Sequence, residues 1–146
     1  MVEYEYWEPV GLHIVRASEP FELDQLYQLG LAAIERGGTS AEFWRPTFFD
    51  YRNVNLTKFE ANDLRRLIEK RKAFGEEHNN NLSVYIVADM GSFGMVRMNN
   101  IYAEIAGLRD EENTLVTMEV LEVVDWLTAR LGLDQTQKTE LVQIIA

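Results

Sequence analysis

Between Val84 and Arg97 the chain reads VYIVADMGSFGMVR, an apolar run followed by an acid, two glycines and an arginine. A strand, a turn and a helix start in that order form the place where α/β proteins meet their ligands. Backbone N–H groups at a helix start favour anions, and a glycine lets a ligand approach the backbone closely. The turn Gly91-Ser92-Phe93-Gly94, with Asp89 before it and Arg97 one turn into the helix, is therefore a candidate site for a carboxylate or phosphate. An arginine adds a charge-assisted fork to such a cradle. The same residues also have a purely structural reading. Arg97 can pair with Asp89 or Glu119, and Phe93 can wedge the helix against the sheet. The motif is not a Walker or dinucleotide fingerprint, because it lacks the lysine and the longer glycine pattern.

A second set is acidic. Asp50, Asp89 and Glu119 fall at expected strand ends, where paired carboxylates bind a divalent ion or exchange protons. Strand-end acids also cap helices, and spacing alone does not fix the distances among these three. The two histidines, His13 and His78, lie on unrelated stretches, so the expectation is no metal centre and no cofactor. His13, inside an expected strand, is read as a surface or satisfied core side chain. No Ser-His-Asp set can be assembled, and a chain without cysteine has no thiolate nucleophile, disulfide or cysteine metal site. Catalytic residues are expected to be none. A third set, Trp44, Phe48, Phe49, Met90, Phe93, Met95, Met98 and Tyr102, is core-filling material. Around a cavity it would instead hold an apolar or lipid-like ligand whose acidic end meets Arg97.

The elements that must position these residues fit in one domain. The chain has 146 residues, 47% hydrophobic and 26% charged, in the range of ordinary globular proteins. A net charge of −10 repels nucleic acid phosphates. No apolar run reaches the roughly 18 residues that span a bilayer, so no integral membrane contact is expected. The opening MVEYEYWEPV is acidic and alternating, unlike a signal peptide, and the expected location is cytoplasmic.

Val2–Glu8 alternates with period two, Pro9-Val10-Gly11 turns the chain, and Leu12–Arg16 returns it, predicting an antiparallel hairpin. Ser18 with Pro20 reads as the start of a helix carrying Leu23, Leu26, Tyr27, Gly30 and Ile34 and stopped by Gly37-Gly38. Arg45–Tyr51 reads as a strand. Thr57 and Glu60 form a T-x-x-E capping box for a second helix with Ala61, Leu64, Leu67 and Ile68 buried. Its Lys58, Arg65, Arg66, Lys70, Arg71 and Lys72 make either a solvated face offset by Asp63 and Glu69, or a surface for an acidic partner. Asn79–Asn81 is a loop, and Leu82–Ala88 has the all-apolar character of a central strand covered on both faces. The next helix carries Met98, Ile101, Tyr102 and Ile105 on one side and ends at Gly107. Thr114–Met118 is the last strand. Leu121–Leu131 is a helix with Val120, Val123, Val124, Leu127 and Leu131 in register, stopped by Gly132. Asp134 and Gln137 cap a terminal helix bearing Leu141, Val142 and Ile145. The order β-β-α-β-α-β-α-β-α-α predicts an α/β fold with a mixed, mostly parallel five-stranded sheet and helices on both faces.

With FFDYRNV before the second helix, VADMGSFGMVRM and the closing EVLEVVDWL, the chain resembles the SpoIIAA-like superfamily, the anti-sigma-factor-antagonist (STAS) type of domain. The likeness is to a bacterial branch of small single-domain proteins without an assigned role. It runs from Tyr4 to Leu131, so residues 1–131 form the family-like domain and 132–146 a helical extension of it. The resemblance implies a β/α superhelix and a non-catalytic regulatory or protein-interaction role. It also implies a regulatory phosphosite at the helix start. There Asp50 takes the place of the strand-end acid and Thr57 that of the phosphorylated residue, though DYRNVNLTKFE has neither an Asp-Ser pair nor a glycine. Expected partners are another protein or a second copy as a homodimer, with the terminal helix as one dimerisation element. The alternative role is a carrier or sensor of a small anionic or lipid-like ligand at Gly91–Arg97.

Overall fold

The computed structural model describes residues 1–37, 46–72, 82–108 and 110–146, and of residues 33, 34, 36 and 37 only the backbone. The expected strand start at Arg45, the second glycine of the Gly37-Gly38 stop, Trp44, His78 and the Asn79–Asn81 loop lie outside the described residues, as does the side chain of Ile34.

Five strands form one sheet in the order β1-β2-β3-β4-β5: β1 (Val2–Trp7), β2 (Leu12–Ser18), β3 (Thr47–Asn53), β4 (Ser83–Val87) and β5 (Thr114–Thr117). The first pair is antiparallel and the rest are parallel. Gly11 turns the hairpin with φ 70, a left-handed conformation suited to glycine. Every β4 residue is buried, as its apolar composition predicts. Strands laid down in chain order by right-handed crossovers put the crossover helices on one face. These are α1 (Asp24–Gly37), α2 (Ala61–Arg71) and α3 (Met90–Ile105).

Strand alternation divides the core. Val15, Phe49, Tyr51, Tyr85 and Val87 meet Leu26 and Leu29 of α1 and Val96 of α3. Phe49 and Tyr85 stack with ring centres 4.6 Å apart. Ile14, Phe48, Val84 and Ile86 face the other way. They meet α4 (Val120–Leu131), through Val123, Val124 and Leu127, and α5 (Gln135–Ile145), through Leu141 and Ile145. The apolar stripe of the terminal helix thus has its partner surface within this chain. Two arginines secure its end: Arg16 donates to the Ile144 carbonyl at 2.9 Å and Arg52 to the Ile145 carbonyl at 2.6 Å. Cations near helix C-terminal carbonyls are favoured by the helix dipole.

Several helix starts differ from the sequence expectation. Ser18 ends β2 and caps nothing, and α1 begins at Asp24, because Phe21 is first buried in the core. The Glu19 carboxylate accepts the Phe21 amide at 3.1 Å and the Asn55 amide at 2.9 Å, which holds this connection against the chain after β3. Thr57 does not cap α2. It lies in a 3-10 turn, Leu56–Lys58, where the Asn55 side chain accepts both its amide and its hydroxyl. The N-cap of α2 is Glu60, whose amide is received by the Asp63 carboxylate at 2.8 Å. Asn55 and Asp63 offer shorter reaches to these amides than the expected pairing did. The Asp134–Gln137 box forms as expected, with reciprocal bonds of 2.8 and 3.0 Å.

Candidate functional site

The start of α3 is closed by its own acid. Asp89 adopts an extended conformation, and its carboxylate accepts the Ser92 amide at 2.7 Å, while its carbonyl receives the Phe93 amide. This is an N-cap, and it occupies one of the donors an external anion would use. Gly91 and Gly94 are not a turn before the helix; both lie within it. Gly91 nevertheless has a steric reason, since a Cβ there would sit 2.8 Å from the Thr57 methyl group. Gly94 faces open space. Ser92 is 1% exposed and its hydroxyl has no partner among the described residues, so it is shielded from any modifying enzyme. Phe93 packs partly buried on the α1–α3 side of the sheet, in the wedge role expected of it.

Arg97 is the eighth residue of α3, two turns in rather than one. At a rise of about 1.5 Å per residue it stands about 9 Å along the axis from Gly91. The structure therefore separates Arg97 from the glycine pair. Among the described residues it makes no ion pair with Asp89 or Glu119. Instead it lines a cleft of about 230 Å³ between α3 and β5 with Asn100, Ile101, Glu104, Glu111, Thr114 and Val116. Asn100 is the unusual member: both polar atoms of its carboxamide are buried without a hydrogen-bond partner. A buried polar group left unpaired is costly.

The three acids do three different jobs. Asp50 lies within β3 rather than at its end, is 6% exposed, and grips Arg52 through bonds of 2.9 and 2.7 Å while accepting the Arg52 amide. That pairing raises the Arg52 pKa further above its ordinary range. Asp89 is a cap, and Glu119 starts α4, its amide donating to the Thr117 hydroxyl. Asp89 and Glu119 share the sheet's C-terminal rim, and Asp50 sits three residues inside it.

His13 is buried, with its Nδ1 2.6 Å from the Tyr4 hydroxyl, in agreement with the core reading. The basic face of α2 is largely paired: Lys58 with Glu19, Lys70 with Asp24 and Lys72 with Glu69, while Arg65 lies over the Tyr102 ring. These partners come mainly from α1 and the chain before it rather than from the expected Asp63. Of the aromatic and methionine set, Phe48 and Phe49 are core, Phe93, Met95 and Tyr102 are partly buried, and Met90 is 67% exposed. Their packing leaves about 40 Å³ among Phe49, Tyr51, Phe59, Tyr85 and Met95, room for about one water. The cation at that cavity is Arg71, not Arg97.

No family model matches the chain, nor does any curated protein or solved structure.

What sequence reading missed is an edge. Ile101 and Ile105, expected on one side of the helix with Met98 and Tyr102, are exposed, Ile105 to 79%. The buried positions of α3 are Ser92, Val96 and Ala103. Met118, just past β5, and Leu121, in α4, are also exposed, Leu121 to 71%. Strand β5 ends the sheet, and its sequence TLVT carries no charge. The other open edge, β1, carries Glu3 and Glu5. Charges on an edge strand discourage pairing with another chain, and β5 has none. One signal was legible in advance: Leu121 is an apolar residue outside the α4 stripe.

Proposed function

We propose that this chain is a non-catalytic, cytoplasmic regulatory or protein-interaction domain of the SpoIIAA-like, anti-sigma-factor-antagonist type, and that its working surface is the β5 edge. The observation that carries the reading is the uncharged strand β5 at the end of the sheet, with Ile101 exposed beside it in the α3–β5 cleft. Exposed apolar side chains gathered around an unpaired edge mark protein interaction sites. The net charge of −10 disfavours nucleic acid as the partner. Among the described residues no helix is long and apolar enough to cross a membrane.

The test is position-dependent crosslinking in the cells that make the protein. A photoreactive residue at Ile101 is expected to give adducts, and one at Glu3 is not. Equal yields from both edges, or none from either, would defeat the reading.

A small anionic ligand is the second reading. It is favoured by Arg97, which lines the α3–β5 cleft without an ion pair among the described residues and moves the site there from the Gly91–Gly94 amides. Thermal stabilisation by inorganic phosphate or a simple carboxylate, abolished by Arg97→Ala, supports it. No shift with any such anion removes it.

A further inference from the structure

We infer that α3 is the element built to come off the sheet while the rest of the fold stays in place, so that the protein exchanges between a closed form and one with α3 released. The inference goes beyond the interaction reading and does not depend on which molecule meets β5.

The packing of α3 differs from that of its neighbours. It is the longest helix among the described residues, 16 residues, yet its buried side chains are Ser92, Val96 and Ala103. Over 11 residues α2 buries Leu64, Leu67 and Ile68, and over 12 residues α4 buries Val123, Val124 and Leu127. Phe93, Met95 and Tyr102 add partial burial to α3. Apolar area removed from water is what fixes a helix to a sheet, and α3 leaves Met90, Ile101 and Ile105 in solvent instead.

Docking also leaves polar groups of α3 unmatched. The Ser92 hydroxyl, the Asn99 carboxamide oxygen and both polar atoms of Asn100 are buried with no hydrogen-bond partner. These are four of the five such atoms among the described residues, the fifth being the Thr128 hydroxyl of α4. All four lie out of reach of water in the closed form, which therefore bears their full desolvation penalty. Release of α3 hydrates every one of them. The same step works against α3 holding its shape alone. Gly91 and Gly94 lie within the helix and lower its propensity, and a detached helix of this length is marginal in water. A released α3 thus unfolds, and its amides exchange.

The opening has a defined product. Val96 packs in one cluster with Phe49, Tyr85 and Val87, and Val116 of β5 lies against that cluster. Release bares this row beside the open end of the sheet. A molecule that binds α3 or the bared row better than the closed form draws the population toward the open one.

The experiment is native-state hydrogen exchange of the full chain, followed amide by amide in low urea, with circular dichroism to verify that each variant folds. Amides of residues 96–105 are expected to open about ten times as often as those of β4 and α4, or more. Val124→Ala loosens the core on the far side of the sheet. It should speed exchange in β4 and α4 about tenfold and leave residues 96–105 unchanged, because Val124 stays packed when only α3 leaves. Asn100→Leu replaces the unmatched carboxamide by an apolar group of similar size and should raise the urea midpoint, whereas loss of a satisfied asparagine would lower it. If residues 96–105 share a single opening with β4 in the wild type, if Val124→Ala speeds both alike, or if Asn100→Leu lowers the midpoint, α3 is an ordinary part of the core and the inference falls. Should Val124→Ala fail to fold, the wild-type comparison and Asn100→Leu still decide the matter.

Discussion

Replacing Gly91 by alanine sets two effects of opposite sign against each other. In a helix alanine is favoured over glycine by up to about 1 kcal/mol. At Gly91, however, the new methyl would lie 2.8 Å from Thr57 Cγ2, a separation at which something must shift. Thr57 cannot yield freely, because its amide and hydroxyl are both held by Asn55 and the neighbouring Leu56 is buried. Overpacking of this kind costs about 1–3 kcal/mol, so the expected net effect is a loss of about 1 kcal/mol. Gly94→Ala meets no atom within 4 Å and should gain most of the helix term. The two glycines, three residues apart in one helix, should thus respond with opposite signs. Thr57→Ser removes the obstructing methyl and keeps the hydroxyl, so it should recover most of the loss in the Gly91→Ala background. Urea denaturation of the four variants, read as a double-mutant cycle, measures this directly. If Gly91→Ala stabilises as much as Gly94→Ala, or if Thr57→Ser fails to rescue it, the close approach of α3 to the 3-10 turn is not what requires glycine there.

Three further outcomes follow from the ion pairs and the core. Arg52→Ala leaves Asp50 buried without its partner and frees the Ile145 carbonyl, and it should cost about 2–4 kcal/mol by denaturant titration, more than Arg16→Ala. Leu141→Ala should cost about 2–5 kcal/mol in the same assay, and a chain ending at Gly132 should lose its cooperative transition, because Leu141 and Ile145 belong to the core. The Asn55 amide and Lys58 hold the Glu19 carboxyl below its ordinary pKa, and Lys70 does the same for Asp24. A depressed carboxylate adds stability above its unfolded pKa and loses it as pH falls through the folded value. Melting temperature should therefore decline as pH drops below roughly 4, and Lys70→Met should flatten part of that decline.

The alternation of strands and helices was legible because each apolar run carries its own period. Ser83–Val87 is apolar on both faces and buried on both, and Val123, Val124 and Leu127 keep helical spacing and reach the core. The terminal capping box was legible because Asp134 and Gln137 stand at the spacing that lets each side chain reach the other's amide. Thr57 failed because other side chains took the amides, Asn55 two residues before it and Asp63 three after Glu60. Ser18 failed because the burial of Phe21, a long-range event, delays the helix. In α3 the apolar residues Ile101 and Ile105 imitate a buried stripe, whereas the smaller Val96 meets the sheet and Ala103 packs with Ile68 of α2 and Leu108. Nothing local distinguishes the two faces. Gly91 and Gly94 suggested a turn, yet a cap at Asp89 carries a helix through both.

Each helix that crosses from one parallel strand to the next can settle as soon as its two strands are made, so that side of the sheet closes progressively during synthesis. The opposite side has no such schedule. Its cover comes from α4 and α5, which follow all five strands in the chain, and the fastening of Arg16 and Arg52 to the carbonyls of Ile144 and Ile145 joins the second and third strands to the end of α5. Until α4 and α5 have left the ribosome, Ile14, Phe48, Val84 and Ile86 stay wet, and the nascent chain presents a bare apolar sheet for chaperones to shield.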